Sequence, residues 1–278
     1  MNVEPWSTIA SGSTAALVPG IQYLLRARGH VVAPDGVYGP ATAAAVSAFQ
    51  TAQGLTADGA VGPVTWPRLV VPVHAGSSGD AVRAVQQLGL VPSPGVDPLV
   101  VDGSYGPVTA ERVRFFQESW GLTQDSAAGR ETWSFFSTFT PGPRPWALVK
   151  VGATQDTNWR VRAAQHLLRA HGATIVADGV FGPLSGQAVR VYQQTLRATE
   201  ISTTVGQLDW PHLIVTVRQG DHGEAVRAAQ SLVGATIDGD FGPLTDAAVR
   251  RFQQLVLPPA DGIVGPETWH ALMERLFD

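Results

Sequence analysis

Apolar residues recur at helical spacing in four stretches of the chain, and each stretch is followed by a turn and a second helical stretch. The first stretch is clearest in 82-VRAVQQL-88 and 161-VRAAQHLLRA-170. The second stretch carries a valine and an aromatic residue three positions apart, which places both on one helix face. These pairs are Val46/Phe49, Val113/Phe116, Val189/Tyr192 and Val249/Phe252. The pattern predicts small groups of short amphipathic helices.

A six-residue turn separates the two helical stretches each time. It reads DGVYGP at 35–40, DGSYGP at 102–107, DGVFGP at 178–183 and DGDFGP at 238–243. The glycine fits a positive φ, the aspartate can accept backbone N–H bonds, and proline fits the first turn of a helix. An EF-hand loop needs several alternating oxygen ligands and a closing glutamate, whereas here only Asp238 and Asp240 alternate and nothing closes the site. We therefore interpret the following as structural turn residues: Asp35, Gly36, Asp102, Gly103, Asp178, Gly179, Asp238 and Gly239.

Glutamine and tryptophan recur at fixed distances from this turn. A glutamine stands upstream of it at Gln22, Gln86, Gln165 and Gln230. A second glutamine stands 15 residues after the aspartate, and a tryptophan 31 or 32 residues after it, at Trp66, Trp133, Trp210 and Trp269. Self-similarity at a fixed period indicates repeated units. We predict an all-α protein of four small three-helix repeats, with the tryptophans in the cores.

The repeats are predicted to occupy residues 5–71, 77–137, 145–215 and 220–278. The sequence after Trp66 resembles the sequence after Trp210, so the same joint connects the first repeat to the second and the third to the fourth. The intervening segment 137-STFTPGPRPWALVKVG-152 has the composition of a linker. We therefore predict two tandem pairs, at about 5–137 and 145–278. Trp6 and Trp146 are expected to hold the leading segment of each pair against its core.

The combined pattern resembles the type-1 peptidoglycan-binding domain family, in which a glutamine-bearing helix precedes DGxFGPxTxxAVxxFQ and GLxxDGxVGPxTW. The first repeat shows it in 35-DGVYGPATAAAVSAFQ-50 and 54-GLTADGAVGPVTW-66, and the fourth in 238-DGDFGPLTDAAVRRFQ-253 and 261-DGIVGPETW-269. The second repeat departs from it in 125-DSAAGRETW-133 and the third in 203-TTVGQLDW-210. The resemblance implies bacterial peptidoglycan as the partner, with a cell-wall hydrolase acting in trans as a second expected partner.

The composition and charge of the chain argue against several classes of function. A net charge of −4 and a pI near 6.0 disfavour a general polyanion binder, so no nucleic-acid partner is expected. The chain has no cysteine and no apolar run long enough to span a bilayer, so no membrane insertion is expected. The N-terminus lacks the basic start and apolar core of a signal peptide. We expect a secreted or wall-associated protein; whether export uses another route or a leader has been removed stays open.

Catalysis, cofactors and metals are not expected. The seven histidines form no HxH or HExxH pattern and none recurs between repeats. No glutamate recurs at an equivalent position in all four repeats, so a pair of glycosidase carboxylates would have to occur in one repeat alone. The sequence favours a non-catalytic protein.

Three groups of residues are candidates for ligand contact. Guanidinium groups pair well with the carboxylates of stem peptides, tyrosines can stack on sugars, and glutamine amides can both donate and accept hydrogen bonds. For each group a structural alternative stays open: solvated helix surface, buried core and hydrogen bonding inside the repeat, respectively. The candidates are Arg83, Arg114, Arg162, Arg190, Arg227, Arg250, Tyr38, Tyr105, Gln50, Gln117, Gln193 and Gln253.

The predicted function is non-catalytic, multivalent binding to peptidoglycan, either as a stand-alone protein or as the targeting part of a hydrolase system. The alternative is a protein–protein interaction scaffold that reuses the same fold, and a weak wall hydrolase ranks third. Whether the ligand is glycan or stem peptide stays open.

Overall fold

The computed structural model describes residues 6–13, 16–88, 99–138 and 145–274. Over these residues the protein is helical, with twelve helices, three in each predicted repeat, and isolated antiparallel bridges in place of a sheet. The all-α class is therefore confirmed. No helix within the described ranges is long and apolar enough to cross a membrane.

The helices of each repeat follow the predicted order. The first repeat contains α1 (Val18–Ala27), α2 (Pro40–Ala52) and α3 (Trp66–Leu69); the second contains α4 (Asp80–Gln87), α5 (Pro107–Trp120) and α6 (Arg130–Phe136). The third contains α7 (Val161–Ala170), α8 (Pro183–Thr195) and α9 (Trp210–Leu213); the fourth contains α10 (Glu224–Val233), α11 (Pro243–Val256) and α12 (Pro266–Glu274). The middle helix of every repeat begins at the proline of the Asp-Gly turn, where the missing N–H costs nothing.

The chain divides into two compact units. Of the described residues, the N-terminal half comprises those in 6–118 and 122–145, and the C-terminal half comprises those in 146–274 together with the short segment Ser119–Gly121. Each half therefore contains most of one predicted pair of repeats. The boundaries of the individual repeats stay predictions.

The tryptophans lie in the cores, as the sequence predicts. Trp66, Trp133, Trp210 and Trp269 are at most 1% exposed. In the N-terminal half, Trp6 stacks on Trp66 with ring centroids 6.0 Å apart, and the Trp66 indole N–H donates to the carbonyl oxygen of Ser7 at 2.8 Å. In the C-terminal half, Trp146 stacks on Trp210 at 6.2 Å. The leading segment of each pair is therefore attached to its own core.

A single antiparallel bridge attaches the leading segment of every repeat to its second turn. Ile9 pairs with Val61 in the first repeat, and the N–H of each residue donates to the carbonyl oxygen of the other. The other three bridges are Val73 with Ala128, Val149 with Val205 and Val217 with Val264. The segments just before 77 and 220 thus belong by contact to the repeats that follow them.

Within each half the two first helices pack together, α1 on α4 and α7 on α10. A carboxylate at the start of the second of these helices lies at the contact, where the helix dipole favours a negative charge. Asp80 accepts hydrogen bonds from Arg26 at 2.8 Å and from Arg83 at 3.0 Å. Glu224 takes the same place in the C-terminal half and accepts from Arg169 at 2.9 Å. The two halves therefore use the same ion pair between repeats, as the repeated joint in the sequence suggests.

Candidate functional site

Each repeat contains buried glutamines whose side-chain amides are hydrogen-bonded inside the repeat. Gln22 donates from Nε2 to Oδ1 of Asp35 at 2.7 Å and to Oγ1 of Thr42 at 3.0 Å. It also donates to the carbonyl oxygen of Val37 at 3.1 Å, while its Oε1 accepts the N–H of Gly36 at 2.9 Å. One side chain thus holds the beginning and the end of the Asp-Gly turn. We call this arrangement the glutamine–turn motif.

The glutamine–turn motif occurs eight times in the described residues, twice in each repeat. In seven of the eight, the amide donates to an aspartate Oδ1 at 2.7–2.9 Å. The glutamines are at most 2% exposed; they are Gln22, Gln50, Gln86, Gln117, Gln165, Gln193, Gln230 and Gln253. Each repeat therefore contains two similar segments, each with one glutamine–turn motif. The sequence carries this signal, because the glutamine lies eight residues before the aspartate in 50/58, 117/125, 230/238 and 253/261.

The four candidate glutamines Gln50, Gln117, Gln193 and Gln253 all belong to this set. Their amides are buried and are used by the second turn of their own repeat. The sequence left two roles open for these glutamines, namely ligand contact and hydrogen bonding inside the repeat. The structure shows hydrogen bonding inside the repeat.

Six of the turn aspartates have a pKa below the ordinary value for aspartate. In each case the largest cause is the hydrogen bond from the N–H two residues further on, and the second is the glutamine amide; both stabilise the charged carboxylate. The six are Asp35, Asp58, Asp102, Asp178, Asp238 and Asp261. These carboxylates are structural acceptors that stay ionised at neutral pH.

The third repeat keeps the motif by exchanging two residue types. At its second turn Ser202 stands where the first repeat has Asp58, and Asp209 stands where it has Thr65. Gln193 Nε2 donates to Oδ1 of Asp209 at 3.0 Å, and its Oε1 accepts the N–H of Ser202 at 2.7 Å. The carboxylate has changed its position in the turn, but the glutamine still donates to a carboxylate and still accepts a backbone N–H.

All six candidate arginines stand three residues before a motif glutamine. Arg83 donates to Asp80 and to the carbonyl oxygen of Asp102, and its guanidinium lies over Gly103, where an added Cβ would be 2.7 Å from Cζ. Arg227 repeats this over Gly239. In the first repeat Pro19 and Ser47 occupy the corresponding places.

The remaining candidate arginines are divided between ion pairs and open surface. Arg250 donates to Asp246 at 2.8 Å and lies over Gly262. Arg114 donates to Glu118, Arg162 lies beside Gly179, and Arg190 is exposed. Four of the six arginines thus lie against a turn glycine of their own repeat, namely Arg83, Arg162, Arg227 and Arg250.

Replacing Gly103 by alanine is expected to destabilise the N-terminal half by about 2 kcal/mol. Its φ is +77°, which costs a residue with a Cβ about 1–2 kcal/mol, and the new Cβ would displace the Arg83 guanidinium. Urea unfolding followed by tryptophan fluorescence measures the change. The matched control is Gly106→Ala in the same turn, where no heavy atom lies within 4 Å of the added Cβ. Equal losses in the two variants would contradict this account.

The candidate tyrosines are interior residues. Tyr38 and Tyr105 are 1% and 2% exposed. The hydroxyl of Tyr38 donates to the carbonyl oxygen of Gly59 at 2.9 Å, and that of Tyr105 to Ser126 at 2.8 Å. Each tyrosine therefore connects the first turn of its repeat to the second, and neither offers a ring face to the surface.

An open groove of about 330 Å³ lies in the third repeat. One wall is a single face of α8, where Leu184, Ala188 and Val191 follow at helical spacing. The other wall is the C-terminal part of α7 with the loop 171–175 that follows it. Leu184 is 79% exposed and Val191 is 50% exposed, so apolar side chains face solvent here.

The polar side chains that line the groove include the ring of His171. Neither carboxylate nor lysine nor arginine is among its lining residues, and Gln187, Thr174 and Thr195 supply its polar groups. The ring of His171 lies 4.9 Å from that of Tyr192, and its Nε2 is 3.0 Å from the carbonyl oxygen of Leu213. Burial, with a smaller effect of Asp209, raises the pKa of Tyr192 to about 12, so its hydroxyl is neutral at physiological pH.

The corresponding surface of the first repeat carries a histidine. His30 occupies the place of Ala173, and its ring meets that of Phe49 edge-on with centroids 5.9 Å apart. The backbone is the same at both places: His30 N–H donates to Leu25, and Ala173 N–H to Leu168, each at 3.0 Å. The sequence prediction missed this groove. The signals were the small residue at 173 and the apolar residues on the exposed face of α8.

Within the described ranges, no three or more histidine, aspartate or glutamate side chains come together in a group that could hold a metal ion.

The fold and its eight glutamine–turn motifs define a tandem array of small helical repeats, each stabilised by buried polar turns. The family described as "Putative peptidoglycan binding domain" matches residues 14–69, 78–135 and 223–272, which together are more than half of the chain. The chain belongs to this family. The matches fall on the first, second and fourth repeats.

Two curated relatives are enzymes by name. The chain is 39% identical over 118 residues to a zinc D-Ala-D-Ala carboxypeptidase of Streptomyces albus G, which covers 38% of this chain and 43% of the relative. It is 29% identical over 156 residues to the N-acetylmuramoyl-L-alanine amidase CwlL of Bacillus licheniformis, which covers 45% and 43%. The chain thus spans less than half the length of these two relatives.

A solved structure of Burkholderia AP3 phage endolysin is also similar, at 24% identity and a TM-score of 0.23, over 74% of this chain and 60% of that one. At so low a score the likeness carries no argument.

Proposed function

We propose that the protein binds bacterial peptidoglycan without catalysis, and that its repeats act together. The observation that carries the proposal is the family match over three of the four repeats. The described structure supports the proposal. The recurring polar residues form the turns of each repeat, so the exposed residues of the repeats are the ones available for contact with a ligand. The names of the two curated relatives further favour a role at the wall, in which this chain supplies attachment and a hydrolase acts in trans.

We infer that the third repeat is a fourth copy of the same module. Its first turn has the complete glutamine–turn motif around Gln165 and Asp178. Its second turn retains the hydrogen bonding through the exchange of Ser202 and Asp209. Its three helices follow the order of the other repeats.

Multivalency is expected to supply most of the affinity. A single small module buries little surface, and linking modules makes each later contact intramolecular, with avidity gains of about 10²–10⁴ where the geometry allows. Shape and hydrogen bonding, rather than net charge, would then determine specificity, which agrees with a chain of net charge −4.

Co-sedimentation with purified, protein-free sacculi tests the proposal. We expect the full chain to pellet with sacculi and to release no soluble muropeptides on prolonged incubation. A chain that stays in the supernatant would refute wall binding and favour the scaffold alternative, whereas released muropeptides would refute the non-catalytic role. We also test the double variant Arg83→Ala/Arg114→Ala. If this variant folds and pellets with sacculi as the unmodified chain does, these two arginines do not contribute to binding.

A further inference from the structure

We infer that the groove of the third repeat binds an uncharged N-acetylated sugar of the glycan strand, rather than the charged stem peptide. The inference rests on the proposed function and names the part of the wall that this groove recognises.

The first argument is charge. Glycan strands of peptidoglycan carry acetamido groups that are neutral, whereas the stem peptides carry carboxylates and ammonium groups. A buried or half-buried charge without a partner is costly. The groove offers no lysine, arginine, aspartate or glutamate side chain to pair with such a charge. Arg162 and Arg190 are not among its lining residues. The guanidinium of Arg169 donates to the carbonyl oxygen of Ile175 at the edge of the groove at 2.6 Å, and it is already paired with Glu224 at 2.9 Å.

The second argument is that the groove places apolar side chains next to hydrogen-bonding groups. An acetamido group joins a methyl group to an amide, so it requires an apolar contact beside a donor and an acceptor. The face of α8 presents Leu184, Ala188 and Val191 next to the amide of Gln187, which can donate and accept at once. Pockets for small ligands are apolar with a few placed polar groups, and their volumes begin near about 300 Å³. The groove, at about 330 Å³, has room for a single sugar-sized group.

The third argument is the contrast between repeats. The first repeat has the same loop hydrogen bond, and there the ring of His30 contacts Phe49. In the third repeat Ala173 takes the place of His30, and Ala173, Tyr192 and the His171 ring beside Tyr192 line the groove. The first repeat also carries the smaller side chains of Ala41 and Ala48 where the third carries Leu184 and Val191. The third repeat thus differs from the first in having a larger apolar wall on α8 and a smaller side chain in the facing loop, and both differences favour contact with a ligand in the third repeat.

The chain itself supplies the variant that tests the inference. Ala173→His transfers the residue of the first repeat onto a loop of the same backbone geometry, so the fold should be kept while the ring covers the groove. The matched control is Val176→His, which adds the same side chain close by in the chain, at a position that is 72% exposed and outside the lining.

The experiment is methyl NMR of the full chain titrated with the N-acetylglucosamine tetrasaccharide, its de-N-acetylated counterpart and a synthetic stem pentapeptide. We expect the N-acetylated saccharide to shift the methyl signals of Leu184, Ala188 and Val191, with affinity reduced about tenfold or more by Ala173→His and changed less than about twofold by Val176→His. The de-N-acetylated saccharide and the pentapeptide should leave these signals in place.

Three results would overturn the inference: shifts caused by the pentapeptide instead, shifts that Ala173→His leaves unchanged, or no shift with the N-acetylated saccharide while the same preparation pellets with sacculi. In each of these the wall-binding function stands. Failure to pellet with sacculi, by contrast, refutes the proposed function itself.

Discussion

Replacing Gln253 by glutamate is expected to destabilise the C-terminal half by about 3 kcal/mol or more at neutral pH. Gln253 is 2% exposed and donates to Asp261 at 2.7 Å and to Thr268 at 3.1 Å, while Gly262 N–H donates to its Oε1. A carboxylate in its place loses the donors and puts a second negative charge against Asp261. Buried groups left without partners cost about 1–3 kcal/mol each.

The neighbouring residue provides the control. Gln254 is exposed on the same helix, so Gln254→Glu makes the same chemical change in solvent and should alter stability by less than about 0.5 kcal/mol. Urea unfolding at pH 7 compares the two variants. The deficit of Gln253→Glu should shrink on acidification, because protonation removes the repulsion and restores one donor. Equal stabilities of the two variants at pH 7 would show that the glutamine–turn motif contributes little.

Acid is expected to unfold the wild-type chain through the six turn aspartates described above. Their pKa values in the folded protein lie below the ordinary value, first because of the backbone N–H two residues on and then because of the glutamine amide. A carboxylate with a depressed folded pKa stabilises the fold above its unfolded pKa, and this contribution is lost as the pH falls through the folded value. All six act in the same direction.

The expected result is a melting temperature that is nearly constant above about pH 5 and falls steeply between about pH 4 and pH 2. Calorimetric scans across this range measure it, and NMR titration of the aspartate carboxyl carbons identifies the groups involved. A melting temperature that is unchanged or raised at pH 3 would contradict the assignment of these carboxylates as structural acceptors.

Much of the fold could be predicted because the same residue types recur at the same spacing in all four repeats. The Gly-Pro of the turn marks the start of each middle helix, and the fixed place of Trp66 and its three counterparts indicates a core position. The boundaries were harder, because the bridge from Val73 to Ala128 that attaches a leading segment joins residues far apart in the chain. Predictions that involve residues 89–98 and 139–144, such as the linker around 137–152, lie partly outside the described residues.

The surface could not be predicted to the same degree. The sequence shows that Arg83 is an arginine, but a long side chain reaches in several directions, and its ion pair with Asp80 depends on how the first helices pack. Tyr38 could equally have shown a ring face, until its hydroxyl was found to donate across the repeat to Gly59. The groove depends on what Ala173 leaves uncovered, and a small side chain carries little signal by itself.

The exchange of Ser202 and Asp209 has a consequence for recognising such repeats from sequence. When each position is scored separately, both residues differ from the family pattern. The family match stops at residue 135 and resumes at residue 223. Scored as a pair, they keep one carboxylate beside Gln193, as in the other seven motifs. Changing either residue alone would have left two carboxylates there or none. The two positions should therefore covary, and a search that weights their covariation would detect repeats that an independent-site pattern passes over.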